Sequence, residues 1–202
     1  MGYAIAAQLA ARGARVVLVS GPTALPVPHG VERIDVQTAA QMYEACARIF
    51  DSCDGAVMCA AVADYTPARP SSGKIKKNDG RMDLQLIRTQ DIAASLGVQK
   101  GERLLVGFAL ETDDEEANAQ AKLVRKNFDF IVLNSLRDEG AGFGTETNKV
   151  TIFTRDGVRH AYPLITKTAA ASAIADHVEE FFQKTAVLSE KNQRKNATET
   201  SC

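Results

Sequence analysis

At 202 residues and a formal net charge of −1, the chain has the length of one α/β domain and no global field to draw it toward nucleic acid or an anionic membrane. Tryptophan is absent and aromatics make up 6%, which argues against a stacking platform for single-stranded nucleic acid. No apolar run approaches the roughly 20 residues of a membrane span, and the start, Met1-Gly2-Tyr3-Ala4, carries no basic segment of a secretory signal.

Small and apolar residues at helical spacing predict a helix over Gly2 to Arg12, with Gly13 as its stop. The run Val16-Val17-Leu18-Val19 reads as a strand buried on both faces. Gly21, Pro22, Pro26, Pro28 and Gly30 mark a long irregular connection, and Thr38 is placed to cap a helix running to about Asp51. A second buried strand follows over 54–61. The polar loop beginning at Ala63-Asp64-Tyr65 carries Pro67, Pro70, Ser71, Ser72 and Gly73, then the basic run Lys74-Ile75-Lys76-Lys77. Met82 to Ile87 alternates as a half-exposed strand does. A short helix over 91–96 and a strand over 104–109 come next. Thr112 then caps an acidic first turn, in a helix whose far end at Lys126 is basic, the charge order that suits a helix dipole. Phe130 to Leu133 is another buried strand. Runs over 150–153 and 158–162 around Asp156-Gly157 predict a hairpin. Thr166 to Gln183 predicts a last amphipathic helix, and residues 185–202 form a polar tail expected to be disordered.

Strands alternating with helices predict an α/β fold, a doubly wound, mostly parallel, Rossmann-like sheet ending in a β-hairpin and helix, all within residues 1–184. Such a sheet usually begins with a strand that feeds its first helix, whereas here the first predicted element is the helix. A central strand is therefore expected to be missing. Cys46, Cys53, Cys59 and Cys202 show no C-x-x-C spacing and read as reduced thiols of a cytoplasmic protein. His29, His160 and His177 are scattered, so no protein metal site is expected.

Ligands of open α/β sheets bind at the carboxyl ends of strands. Cys59-Ala60-Ala61-Val62-Ala63-Asp64-Tyr65 stands at such an end. Its small side chains leave backbone groups approachable, and Asp64 can accept from hydroxyls, as a base or ribose requires; a tightly packed strand end with a solvated Asp has the same pattern. Lys74, Lys76 and Lys77 could serve a triphosphate as mobile point charges, or only solvate a loop. Phe108, in Gly107-Phe108-Ala109-Leu110-Glu111-Thr112, could pack beside a base or belong to the core. Lys122 and Lys126 share one helical face and could reach a phosphate or complement the helix dipole.

Six segments in order carry a resemblance from Gly2 to about Lys184. They are Met1-Gly2-Tyr3-Ala4-Ile5-Ala6, Val19-Ser20-Gly21-Pro22, Ala60 to Tyr65, Lys74 to Lys77, Gly107 to Thr112, and Arg125-Lys126-Asn127. On them the chain resembles the phosphopantothenoylcysteine synthetase family in its bacterial, CTP-using form. The resemblance implies a ligase of coenzyme A synthesis, in which 4′-phosphopantothenate and CTP form an acyl-cytidylate that the amine of L-cysteine then attacks. It implies that backbone groups of Met58, Cys59 and Ala60 read the cytosine, with Asp64 on the nucleotide and Phe108 beside it. Lys74 would hold the triphosphate and act in catalysis. Ile87, Arg88, Thr89 and Gln90 would line the base pocket, with Lys122 and Lys126 as further contacts, and Mg2+ would accompany the triphosphate. Arg88-Thr89-Gln90-Asp91 departs from the family's commoner Lys-Asn-Pro-Asp. The family's first strand and its Asn-containing phosphate loop have no counterpart here, and neither has the flavin-dependent decarboxylase domain that often precedes it. A homodimer is implied, consistent with an open edge at 82–87. Two rivals stand beside the ligase. A nicotinamide oxidoreductase lacks its G-x-G-x-x-G here, and a nucleotide-binding or regulatory module of impaired catalysis would keep Lys74 and Asp64.

Overall fold

Apolar runs alternating between two faces build the centre of the molecule. The computed structural model describes residues 1–71, 73–76, 80–111, 113–135 and 146–199; Ser72, Lys77, Thr112 and Cys202 lie outside the described residues. In chain order the elements are α1 (Gly2–Ala11), β1 (Val16–Ser20), β2 (Val31–Asp35), α2 (Ala39–Phe50), β3 (Gly55–Met58), β4 (Tyr65–Pro67), β5 (Leu86–Arg88), α3 (Ile92–Gln99), β6 (Leu104–Glu111), α4 (Glu115–Arg125), β7 (Phe130–Ser135), β8 (Thr147–Thr154), β9 (Arg159–Thr166) and α5 (Lys167–Glu199). The main sheet has the order β3-β6-β7-β8-β9. β3, β6 and β7 are parallel, and β8 and β9 join them antiparallel.

The period of two along the central strands sorts the core into two halves. Leu104, Val106, Phe130, Val132, Val150 and Ile152 meet Ile5 of α1 and Ala170, Ala171 and Ile174 of α5 on one face. Leu105, Ala109, Ile131, Leu133 and Phe153 meet Phe50 of α2, Ile92 and Leu96 of α3, and Ala119 and Leu123 of α4 on the other. The class is the one expected, a mostly parallel sheet between two layers of helices.

The sheet is interrupted, in line with the expectation that a central strand is missing, but the burial of its edge strands differs from expectation. β1 and β2 form a separate parallel pair, with Val16 opposite Val31 and Ser20 opposite Asp35. No ladder joins β1 to β3 among the described residues. β1 and β3, expected to be buried on both faces, are half-buried along nearly their whole length. Each has a partner on only one edge, so its apolar side chains lack the neighbours that a continuous sheet supplies.

Other elements differ in extent. β2 falls in the stretch expected to be irregular; Val-Glu-Arg-Ile-Asp offers only two apolar residues, too few for a periodic signal. The strand expected over 82–87 is only Leu86–Arg88, paired with Tyr65–Pro67 in a two-stranded ribbon whose residues are all exposed. The final helix, expected to end at Gln183, continues to Glu199. Residues 185–199, assigned from their polarity to a disordered tail, are thus helical, and Glu190, Lys191, Gln193, Arg194 and Lys195 are good helix formers.

Candidate functional site

The carboxyl ends of β1, β2 and β3 meet in a cleft of roughly 290 Å³. Gly21 follows β1; Val36, Gln37, Thr38, Ala39 and Met42 come from the β2–α2 junction; Ala60, Ala61, Val62 and Ala63 follow β3. Small side chains after β3 create this space, as the sequence suggested. The backbone N–H groups of Ala60, Ala61 and Val62 make no backbone hydrogen bond among the described residues. They are donors that a bound group can use. The opposite wall is the start of α2, fixed by a capping box: the Gln41 N–H donates to Thr38 Oγ1 at 3.1 Å, and Gln41 Oε1 accepts from the Thr38 and Gln37 N–H groups at 3.1 and 2.8 Å. Thr38 was expected as the cap; Gln41's part in the box, and the nearness of both to Ala60, came from the fold.

Met58 ends β3 opposite Gly107 of β6. Cys59 is half-buried against the α1 side of the core, and its N–H is taken by the Val57 carbonyl at 3.2 Å. Burial pushes its thiol up to about 11, so at neutral pH Cys59 is a protonated packing residue and not a thiolate nucleophile. Asp64 is exposed just beyond the cleft. Its carbonyl accepts from the Thr89 N–H at 2.9 Å, and the Thr89 hydroxyl donates to the Ala63 carbonyl at 2.6 Å. With Tyr65 opposite Arg88 and Thr66 opposite Ile87, these bonds bring Asp64 and the segment Ile87 to Gln90 together, far apart though they are in sequence.

Lys74 is exposed on the loop that the ribbon carries, beyond the Ala68 N–H to Gln85 carbonyl bond at 2.9 Å. It makes no ion pair among the described residues. Phe108 is half-buried on the α1 and α5 face of β6, opposite Val132, and does not line the cleft. Lys122 Nζ lies 3.7 Å from Glu111, and Lys126 Nζ 2.9 Å from Asp91. Asp91 also caps α3, accepting from the Ala94 N–H at 3.0 Å. Partial burial acts to raise the Asp91 carboxyl, but the Ala94 N–H and the Lys126 ammonium outweigh it and hold it below the usual carboxylate range. The sequence singled out the lysines and missed Asp91 and Glu111 as their partners.

A close crossing positions Lys126. A Cβ on Gly97 would stand 2.1 Å from the Lys126 carbonyl oxygen, and Asn127, at φ 55°, donates from its side chain to the Gly97 carbonyl at 2.7 Å. Only glycine lets α3 approach the end of α4 this closely. No group of three or more His, Cys, Asp or Glu residues able to hold a metal occurs among the described residues.

Comparison with known proteins gives this geometry its relatives. The model of the DNA/pantothenate metabolism flavoprotein C-terminal domain matches residues 1–182. The chain belongs to this family. It is 47% identical over 179 residues to the coenzyme A biosynthesis bifunctional protein CoaBC of Bacillus subtilis, covering 88% of this chain and 44% of that protein. It is 52% identical over 176 residues to a cysteine/cysteine sulfinic acid decarboxylase of an unknown prokaryotic organism, covering 86% of this chain and 49% of that protein. The chain thus spans about half the length of the curated relatives it matches. The crystal structure of the C-terminal domain of a CoaBC protein superposes with a TM-score of 0.77 at 37% identity, covering 91% of this chain and 82% of that one. A complex of a Cab2 mutant with phosphopantothenate-cysteine shares the fold, with a TM-score of 0.69 at 16% identity.

Proposed function

We propose that the chain is the ligase unit of coenzyme A synthesis that joins 4′-phosphopantothenate to L-cysteine, with CTP as the activating nucleotide. The likeness to the C-terminal domain of CoaBC carries this reading, and the cleft at the carboxyl ends of β1 and β3, with the open N–H groups of Ala60 to Val62, supports it. In the first step the pantothenate carboxylate attacks the α-phosphorus of CTP, and pyrophosphate leaves. In the second, the cysteine amine attacks the acyl carbon and CMP leaves. Backbone groups from Met58 to Ala60 read the base edge, Asp64 accepts from a ribose hydroxyl, and Ile87 to Gln90 close the side held by Thr89. Lys74 swings in with its loop to the triphosphate, where a preorganised cation stabilises the charge that develops on transfer. Lys122 and Lys126 exchange Glu111 and Asp91 for phosphate oxygens. Mg2+ would accompany the triphosphate and offset its charge.

The decarboxylase name of one relative belongs to a protein about twice as long, and it fits a flavin-dependent decarboxylase unit as neighbour. The family expectation of a homodimer gains support from the ribbon and the segment leading into it, where Tyr65, Met82, Leu84, Leu86 and Ile87 are all more than half exposed. One observation favours the second reading, a nucleotide-binding module of impaired catalysis: the sheet is open between β1 and β3, beside the cleft. Incubation with 4′-phosphopantothenate, CTP and cysteine separates the two. The ligase reading expects CMP and phosphopantothenoylcysteine in equal amounts; CTP binding without either product selects the module.

A further inference from the structure

Ser20 ends β1 and is buried, yet its main chain and its side chain both act on the wall of the cleft. Its carbonyl accepts from the Val36 N–H at 2.9 Å, which carries the β1–β2 pairing one step past Asp35 to a residue that lines the cleft. Its hydroxyl donates to the Gly21 carbonyl at 2.9 Å. A serine hydroxyl has one proton to give, so in the 2.8 Å contact between Tyr3 Oη and Ser20 Oγ the donor is Tyr3. Donation therefore runs one way, from Tyr3 to Ser20 to Gly21. Arg33 of β2 adjoins the Tyr3 hydroxyl in turn, and it donates to the Leu25 carbonyl and to Asp35, each at 3.2 Å. Packing α1 on β1 does not call for this polar chain; Ile5 and Ala6 are the residues that α1 buries.

The consequence falls on Gly21, whose two peptide planes are both held. The peptide between Ser20 and Gly21 is trans, so its N–H points opposite to its carbonyl. With that carbonyl on Val36, the Gly21 N–H leaves β1 on the edge that β2 does not occupy. It makes no backbone hydrogen bond among the described residues. A Cβ on Gly21 would meet no atom within 4 Å, so the space before this donor is open. An N–H fixed in direction and left unpaired at a cleft is preorganised for an acceptor.

We infer that Ser20, held by Tyr3, is a positioning residue of the cleft, aiming the Gly21 N–H at an acceptor oxygen of the bound nucleotide. The inference rests on the reading of this cleft as the CTP site, and it adds a donor after β1 to those of Ala60 to Val62 after β3. Ser20 and Tyr3 act through Gly21 and not by contact with the nucleotide.

CTP is titrated into the full chain and into its Ser20→Ala, Tyr3→Phe and Gly21→Ala variants, and the Gly21 amide is followed by NMR in all but the last. In the parent, CTP should move the Gly21 amide proton downfield, as a new hydrogen bond does. Ser20→Ala should weaken CTP about two- to tenfold, the worth of one hydrogen bond, and shrink that movement. Tyr3→Phe, which removes only the hydroxyl, should do the same to a smaller extent. Gly21→Ala puts its methyl into open space, so it should keep the parental melting midpoint and weaken CTP at least as much as Ser20→Ala. A merely structural pair would lower the melting midpoint of Ser20→Ala and Tyr3→Phe and leave both affinity and amide movement as in the parent, and that result overturns the inference. So does a parental Gly21 amide that CTP fails to move. A parent chain that binds no CTP overturns the reading of the cleft and the inference with it; a parent that binds, beside Ser20→Ala and Tyr3→Phe at parental affinity, overturns the inference alone.

Discussion

Lys74 and Lys126 show what two similar cations are free to do. Lys126 is held between the end of α4 and Asp91, whereas Lys74 stands exposed on its loop. Lys74→Ala should therefore leave stability unchanged and weaken CTP by about 1.5–3 kcal/mol, the worth of a charge-assisted contact. That is roughly ten- to 150-fold in Kd by calorimetry. Asp91→Ala should act differently, costing about 1 kcal/mol of unfolding free energy in denaturant titration through the lost α3 cap. At this scale the sequence was informative about residue type and less so about contact. Small residues after β3 and the lysines could be read directly, because composition alone creates open backbone and positive charge. The partners Asp91 and Glu111 could not, because an ion pair across separate elements has no local signature. Phe108 was equally ambiguous: an isolated aromatic near a strand end has the same pattern whether it faces a ligand or the core, and here it packs with the core.

Elements are held to each other by a few specific contacts, and two of these give predictions. α5 meets the β8–β9 hairpin through His177, a buried residue whose ring lies 4.6 Å from that of His160, with Tyr162 Oη 3.2 Å from Nε2. Phe130 flanks it from β7, and Glu180, Asp176 and Lys184 face it from α5 itself. Burial, with the charge of His160 next, holds His177 below the usual imidazole value, against the opposing pull of Glu180 and Asp176. The unfolded chain therefore takes up this proton first as pH falls. This contribution to stability is complete above pH about 6.5 and declines below it, until pH passes the lowered value in the folded state. His177→Phe should flatten that slope in melting experiments across pH 7.5 to 5. The second contact is the α3–α4 crossing. Gly97→Ala drives a methyl into the Lys126 carbonyl and should cost about 1–3 kcal/mol, as overpacking does. Helix existence was legible throughout, because capping residues and periodicity are local; α2 and its Thr38 cap stand where expected. β2 and β4 were not legible, because short strands with few apolar residues are defined by their partners.

At the scale of the whole molecule, the strand–helix alternation specified the class and raised the expectation of a missing central strand, while the place of the break, between β1 and β3, needed the structure. Val16 to Val19 reads as a strand covered on every side, and its half-exposure beside an equally half-exposed β3 is where sequence and fold disagree most. The same gap adjoins the cleft proposed for the nucleotide. The exposed apolar residues of the ribbon and the segment before it make self-association a further expectation: sedimentation at micromolar concentration should give a dimer, and Ile87→Lys, which places a charge on that exposed strand, should shift it to monomer. The cleft between Gly21 and Ala60 to Ala63 is proposed to take a cytidine nucleotide. Parallel calorimetric titrations of the chain and its Lys74→Ala variant with CTP and ATP test it most directly. One CTP should bind per chain, tighter than ATP and weakened at least tenfold in the variant; no CTP binding, or equal affinity for the two nucleotides, would contradict the proposal.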